Sequence, residues 1–247
     1  MIRIRGLRKY LGGRWVLDGV DLDIASGESV VIMGRSGTGK SVLLKHIVGL
    51  MQPDEGSITI DGQEIVGLRE RELNAVRKRM GMLFQGAALF DSLTVGENVA
   101  LPLREHTRMS GAEVLARVRE RLDWVGLEDV EHAKPASLSG GMKKRVGLAR
   151  AIAMDPAVIL YDEPTTGLDP IMADVIDRLV RDMQRRMGVT TVVVTHDLAS
   201  AYKVGDRLTM LHDGKVVFTG TPNETRGTSN AMVKQFIEGS SVGPIPV

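Results

Sequence analysis

Four residues have the types and spacing of a phosphate-binding loop. Gly34, Gly39, Lys40 and Ser41 follow the apolar run Val30–Met33 in the pattern Gly-x-x-x-x-Gly-Lys-Ser. Glycines allow backbone N–H groups to point at phosphate oxygens, and a helix beginning there presents its positive end. The lysine is placed to reach the β- and γ-phosphates of ATP, and the serine hydroxyl to ligate Mg²⁺. The predicted nucleotide contacts are Gly34, Arg35, Ser36, Gly37, Thr38, Gly39, Lys40, Ser41 and Val42.

Two adjacent acids end a second apolar run. Val158–Tyr161 reads as a buried strand and is followed directly by Asp162 and Glu163. A buried strand rarely ends in paired carboxylates unless they serve a cation or a proton. Asp162 is the predicted Mg²⁺ ligand, and Glu163 is the predicted base that polarises the attacking water. A solvated surface turn is the alternative interpretation, and the phosphate-binding loop argues against it.

A third element combines a serine with two glycines ahead of a basic helix. Ser139 is a good helix N-cap, and Gly140 and Gly141 allow an anion to approach closely. An ordinary capped helix is the alternative. The segment Leu138–Met142 resembles the Leu-Ser-Gly-Gly-Gln signature of the ATP-binding-cassette (ABC) ATPases. Met142 stands where that family usually has glutamine, so only the serine and glycine contacts are expected to carry over.

The resemblance to ABC ATPases extends over residues 1 to about 225. In that family the signature contacts ATP held by the opposite subunit, which implies a head-to-tail dimer of two copies around two ATP molecules. Gln85 matches the Q-loop residue that senses Mg²⁺, and Asp169 matches the loop that crosses the dimer interface. His196 matches the switch histidine that meets the γ-phosphate and the attacking water.

Two aromatic residues compete to stack on the adenine ring. Tyr10 fits the local pattern of the family best. The stretch from Tyr10 to Val16 is one residue longer than is common, so Trp15 remains a competitor. The alternative is that both side chains cover the edge of a sheet.

Short β-branched runs alternate with helical patterns along the chain, which predicts an α/β fold. The resemblance makes this a P-loop NTPase core of ABC type, with an N-terminal antiparallel β-subdomain and an inserted helical lobe. The ATPase domain is expected over 1–225, with the lobe at about 94–136 helical throughout, and a C-terminal helix and extended tail over 226–247. Predicted strands are Ile2–Leu7, Val16–Ile24, Ser29–Met33, Ser57–Ile60, Met80–Phe84, Val158–Tyr161, Thr190–Val194, Arg207–His212 and Lys215–Thr219. Predicted helices outside the lobe are Gly39–Leu50, Glu70–Arg79, Ile171–Met187 and Asn230–Glu238.

Composition excludes several classes of protein. The 247 residues include no cysteine, so no disulfide framework is possible. The net charge of +1 gives no long-range attraction to nucleic acid, and no nucleic-acid partner is predicted. Apolar runs fall far short of the roughly 20 residues that a membrane span needs, and the N-terminus does not read as a signal peptide. Work at a membrane would therefore require a partner.

Further segments resemble the ATPases of Mla-type phospholipid-transport systems. These are Arg77–Asp91, Val99–His106 and Leu138–Met142. The resemblance implies a transmembrane permease, an Mce-domain protein and a small STAS-domain protein as partners, at the cytoplasmic face of the inner membrane. Leu89 and Phe90 are expected either to line the groove that receives the permease or to fold into the lobe.

The C-terminal tail has two interpretations. Val242, Ile245 and Val247 are expected to be exposed, with two prolines that lower the entropy lost on docking. Such a tail fits an arm that reaches a second ATPase subunit, as the resemblance implies. A disordered terminus is the alternative.

Other functions remain open at this point. An ABC transporter for amino acids or lipoproteins is the nearest alternative to phospholipid transport. A soluble ABC ATPase acting on nucleic acid is disfavoured, because fewer than a hundred residues separate Ser41 from Leu138 and no sustained heptads occur. A subunit that binds ATP without hydrolysing it is disfavoured by Glu163 and His196.

Overall fold

The structure is a computed structural model that describes residues 1–246. The chain divides into two units. The first unit contains Met1–Leu73 and the chain from Thr190 onward, and the second contains Asn74–Val189. Val247, the last residue of the predicted tail, lies outside the described residues.

An antiparallel sheet forms the N-terminal part of the first unit. Its strands are β1 (Ile2–Leu11), β2 (Arg14–Ile24), β4 (Glu55–Ile60) and β5 (Gln63–Glu64), in the order β2-β1-β4-β5. A two-glycine turn joins β1 to β2, with φ of 58° at Gly12 and 83° at Gly13. Positive φ at both positions is what a tight hairpin requires. The predicted antiparallel β-subdomain is confirmed, and β1 is four residues longer than the prediction, since Leu11 rather than Leu7 ends it.

Parallel strands form the rest of the first unit's framework. β3 (Ser29–Met33) lies between β8 (Thr190–Thr195) and β9 (Arg207–His212), parallel to both, and β10 (Lys215–Gly220) returns antiparallel to β9. Every residue of β3 is buried, as expected for a strand built around the apolar run Val30–Met33. The helices of this unit are α1 (Lys40–Ile47), α7 (Leu198–Val204), α8 (Pro222–Arg226) and α9 (Ala231–Glu238).

The second unit contains two parallel strands and most of the long helices. β6 (Met80–Leu83) pairs with β7 (Val158–Asp162). The helices are α3 (Val95–His106), α4 (Gly111–Trp124), α5 (Gly140–Ala151) and α6 (Pro170–Met187), while α2 (Glu70–Arg77) begins before the boundary between units and ends after it. Capping boxes start both α3, at Thr94, and α4, at Ser110.

The prediction that the lobe is helical throughout is wrong for residues 107–110, which join α3 to α4, and for residues 125–134. Helix α4 ends at Trp124, and only a short 3₁₀ turn, Pro135–Ser137, precedes α5. Gly126 has φ of 66°, which ends the helix. Arg145 donates to the Gly126 carbonyl at 2.8 Å and so satisfies backbone that leaves the helix.

The expectation of an exposed Ile245 is also wrong. Ile245 is 4% exposed, whereas Val242 is 82% exposed as predicted. The reason is a long-range contact: the side chain of Gln235 on α9 bonds to both the N–H and the carbonyl of Ile245. Across residues 1–246, none of the helices combines the length and apolar character that crossing a bilayer requires.

Candidate functional site

The phosphate-binding loop connects β3 to α1 in the first unit. Gly39 is the N-cap of α1, with φ of 98°, so the helix begins at Lys40 and not at the predicted Gly39. A Cβ atom on Gly39 would lie 2.6 Å from the Val16 carbonyl oxygen, and one on Gly34 would collide with the Leu211 carbonyl oxygen. The loop therefore requires glycine at both positions, for space as well as conformation.

Lys40 places a buried positive charge inside this loop. Its side chain is 5% exposed, and Nζ donates to the carbonyl oxygens of Gly34 at 2.8 Å and Arg35 at 2.9 Å. Thr38 Oγ1 donates to the same Arg35 carbonyl at 2.8 Å. The loop thus folds around the ammonium group, which is the charge that an entering anion would meet.

A cavity of about 400 Å³ adjoins the loop within the first unit. It is lined by Arg14, Trp15, Val16, Arg35, Ser36, Gly37, Thr38, His212, Asp213, Gly214, Ile245 and Pro246. Arg14 donates to the Gly37 carbonyl at 3.2 Å, which joins the β1–β2 hairpin to the loop. If the loop binds phosphates, the cavity has room for a group attached to them.

The two candidate aromatic residues lie opposite each other on the hairpin. Tyr10 on β1 pairs with Trp15 on β2, and their rings meet edge to face with centroids 5.3 Å apart. Both are about half exposed, at 49% and 43%. Trp15 lines the cavity and Tyr10 does not. The choice between them as the adenine partner remains a prediction.

The paired acids lie at the end of β7 in the second unit. Asp162 is the last residue of the strand, and both it and Glu163 are 8% exposed. Glu163 has φ of 49°, a conformation that costs energy for a residue with a side chain. Thr166 Oγ1 donates to Glu163 Oε2 at 3.1 Å. The surface-turn alternative does not fit such buried carboxylates.

Lys144 on α5 is a residue of this site that the sequence analysis did not single out. It is 5% exposed, and its Nζ donates to the carbonyl oxygens of Gln85 and Glu163, the latter at 3.2 Å. Burial lowers the pKa of the Lys144 ammonium, while the negative charges of Asp162 and Glu163 oppose that shift. One cation therefore joins the Gln85 loop to the end of β7.

A sequence signal for Lys144 does exist. Lys144 precedes the buried residues Leu148 and Ala151 by four and seven positions on α5. That spacing places the lysine on the buried face of the helix. A charged residue on such a face requires polar partners, so this pattern could have identified Lys144 as a candidate site residue.

Ser139 caps the start of α5 as predicted, and the role of this segment toward nucleotide remains a prediction. Ser139 is the N-cap, and its Oγ accepts from the Met142 N–H at 3.2 Å. Ser139 and Gly140 are exposed, while Gly141 is buried, and a Cβ there would lie 2.5 Å from Met172 Cε. The start of α5 is thus fixed by the Ser139 cap and by the packing of Gly141, while Ser139 and Gly140 remain exposed.

The remaining predicted residues follow strands or begin helices. Gln85 is exposed just after β6 in the second unit, and His196 is exposed just after β8 in the first. Asp169 is the N-cap of α6, where its carboxylate accepts from the Ile171 and Met172 N–H groups, both at 3.0 Å. Its observed contacts are structural, and its role toward nucleotide remains a prediction.

Comparisons with known proteins agree on one family. The family model described as ABC transporter matches residues 17–166. The chain is 43% identical over 245 residues to a probable ribonucleotide transport ATP-binding protein, mkl, of Mycobacterium leprae, covering 99% of this chain and 70% of that one. It is 39% identical over 246 residues to the intermembrane phospholipid transport system ATP-binding protein MlaF of Escherichia coli K12, covering 100% of this chain and 91% of that one.

Solved structures give the same result. A structure described as a dimeric post-hydrolysis state of the ATP-binding cassette MJ0796 bound to ADP and Pi has a TM-score of 0.84 and 39% identity. The match covers 90% of this chain and 99% of that one. The predicted fold class, an α/β cassette with an antiparallel β-subdomain, is confirmed. From the matched loop, strand and signature, this chain belongs to the ABC transporter family of ATP-hydrolysing cassettes.

Proposed function

We propose that this chain is the ATP-hydrolysing subunit of an ABC transporter that moves phospholipid between membranes. The observation that carries the proposal is a complete phosphate loop around buried Lys40, in a chain 39% identical over its whole described length to a phospholipid-transport ATP-binding protein. The mycobacterial relatives are named for ribonucleotide transport, which makes a nucleotide the second candidate cargo.

Lys40, Glu163 and His196 have distinct roles in the proposed reaction. Lys40 and the loop N–H groups bind the β- and γ-phosphates of ATP, and Glu163 polarises the attacking water. His196 is proposed to contact the γ-phosphate. These groups act by positioning and charge, which is most of what phosphoryl transfer requires of a protein.

Magnesium fits the oxygen groups that the chain provides. Ser41, Gln85 and Asp162 offer hydroxyl, amide and carboxylate oxygens, the donors that Mg²⁺ prefers. Residues 1–246 contain no cluster of three or more His, Cys, Asp or Glu side chains that could hold a metal alone. A bound Mg²⁺ would also contact the phosphates and neutralise part of their charge.

The proposed active form is a head-to-tail dimer around two ATP molecules. The exposed helix start at Ser139 and Gly140 would meet the γ-phosphate bound by the other copy, and Asp169 would lie at the interface. Two of the similar solved cassettes are described as dimeric. Closure on ATP and opening after hydrolysis would then drive the transporter.

A groove in the second unit is the proposed docking site for the permease. Its volume is about 480 Å³, and it is lined largely by apolar residues of β6, α3 and the loop between them. Phe90, which is 51% exposed, lies along it with Met82 and Phe84. An exposed phenylalanine in a groove favours docking over the alternative that it folds into the lobe.

The partners and location follow from this assignment. An Mce-domain protein and a STAS-domain protein are proposed to join the permease. The chain would be held peripherally at the cytoplasmic face of the inner membrane. We also propose that 1–225 is the ATPase domain, with 226–247 as a C-terminal extension.

Co-purification and reconstitution test the proposed cargo. The chain would be purified with its membrane partner, the bound lipid identified by mass spectrometry, and ATP-dependent transfer measured between vesicles of phosphatidylethanolamine and phosphatidylglycerol. Lys40→Ala should abolish transfer, and Lys234→Ala, an exposed lysine of the same unit, should not. ATP-dependent uptake of ribonucleotide with no lipid transfer would reject phospholipid in favour of the second candidate.

A further inference from the structure

The C-terminal tail has a defined path along its own chain. After α9 ends, Gln235 acts as a clamp: its Nε2 donates to the carbonyls of Ser240 at 3.2 Å and Ile245 at 3.0 Å. Its Oε1 accepts from the Ile245 N–H at 2.7 Å. Gln235 is itself 7% exposed, so these bonds are largely shielded from water. The tail is therefore held by a buried amide that it satisfies in return.

Gly243 is required for this path. Its φ is 155°, and a Cβ atom there would lie 2.5 Å from Gln235 Cδ. Only glycine lets the backbone turn this close to the clamp. The turn brings Ile245 inward, where it is 4% exposed, and leaves Val242 outside.

The end of the tail reaches the phosphate-binding loop. The guanidinium of Arg35, the second residue of that loop, donates to the carbonyl of Pro246. Ile245 and Pro246 line the cavity beside the loop together with Trp15. The cavity remains about 400 Å³ with the tail in place, so the tail borders this space and does not fill it.

We propose that Ser240–Pro246 forms a wall of the nucleotide site in its own chain and contacts the base and ribose end of the nucleotide. The inference rests on the proposed function, because it takes the cavity beside the loop as part of the ATP site. The wall is apolar at Ile245, and the Trp15 indole lines the same cavity. Such a lining suits a flat base better than a charged phosphate. The phosphates would be bound by Lys40 and the loop amides.

The test compares a nucleotide, ADP, with a polyphosphate that lacks the base and the ribose. Titrations with ADP and with inorganic tripolyphosphate would be followed by isothermal calorimetry on the full chain, on a chain ending at Gly239, and on Ile245→Ala. Loss of one buried aliphatic contact should weaken ADP binding about fivefold. Tripolyphosphate binding should stay unchanged. Val242→Ala is the matched control, since that side chain is exposed in the same segment.

Each outcome has a separate meaning. Unchanged ADP affinity in both tail variants would overturn the proposal, and so would an equal loss for tripolyphosphate. If the full chain bound neither ligand, the proposed function itself would fail. The chain ending at Gly239 and Ile245→Ala both leave α9, which carries Gln235, unchanged. An effect that the two variants share can therefore be assigned to the tail.

The same titrations decide whether the wall comes from the same chain. ADP binding would be measured over a hundredfold range of protein concentration, with sedimentation to report the oligomer. An affinity that is independent of concentration supports a wall within one chain. An affinity that falls on dilution, together with dimer dissociation, would assign the tail to the site of the second copy and overturn the proposal.

Discussion

Asn98 on α3 holds the loop that carries Phe90, and replacing its side chain should measurably lower the stability of the protein. Asn98 is fully buried. Its Oδ1 accepts from the Phe90 N–H at 2.8 Å, and its Nδ2 donates to the carbonyls of Phe90 at 3.1 Å and Thr94 at 2.9 Å. Each buried hydrogen bond contributes about 1 kcal/mol to stability. Asn98→Ala should therefore lower the free energy of unfolding by about 3 kcal/mol.

The assay for Asn98→Ala has a stability arm and a functional arm. Urea unfolding measures the loss, with Asn74→Ala, an exposed asparagine on α2, as a control that should change stability by less than about 0.5 kcal/mol. ATP hydrolysis by the isolated variant should be preserved, while stimulation by the permease should fall because Phe90 is no longer held in place. A stability loss below about 1 kcal/mol, or full stimulation, would refute the reasoning.

Three further predictions concern other residues of the chain. Gly39→Ala should weaken ADP binding by about tenfold or more in a titration, because its Cβ would lie 2.6 Å from the Val16 carbonyl oxygen and its φ of 98° suits only glycine. Lys144→Met should lower kcat for ATP hydrolysis by about tenfold with KM little changed, since it frees the carbonyls of Gln85 and Glu163, and Lys144→Arg should restore part of the rate. Burial lowers the pKa of His46, whose Nδ1–H donates to the Val42 carbonyl at 2.7 Å. The unfolded chain therefore takes up a proton first as the pH falls through about 6.5, and stability should drop between pH 7.5 and 5.5, with a smaller drop in His46→Gln by urea unfolding.

Local patterns predicted the framework well. The strands Ser29–Met33 and Arg207–His212 match their predictions residue for residue, because turn residues such as Gly34 and Gly214 follow them closely and limit where each strand can end. The lobe was less predictable. Val125 continues the helical spacing of α4, but Gly126 turns the chain with a positive φ and Arg145, far along the sequence, satisfies the carbonyl that leaves the helix.

The phosphate loop was the easiest part of the site to predict, because its glycines and Lys40 are adjacent in sequence and the constraint on them is local. The role of Lys144 depends on carbonyls 59 and 19 residues away. The path of the tail depends on an amide ten residues before Ile245 and on a phosphate-loop guanidinium that donates to the Pro246 carbonyl. Contacts of this kind arise only when the fold is complete, so sequence spacing alone did not reveal them.

The most direct test of the central claim is the rate of phosphate release by wild-type chain and Glu163→Gln with ATP and Mg²⁺, each followed by sedimentation. The account predicts that the variant releases phosphate about a hundredfold or more slowly. The variant should also sediment with ATP as a dimer that retains two nucleotides. Wild-type turnover by Glu163→Gln, or a variant that stays monomeric with bound ATP, would contradict the account.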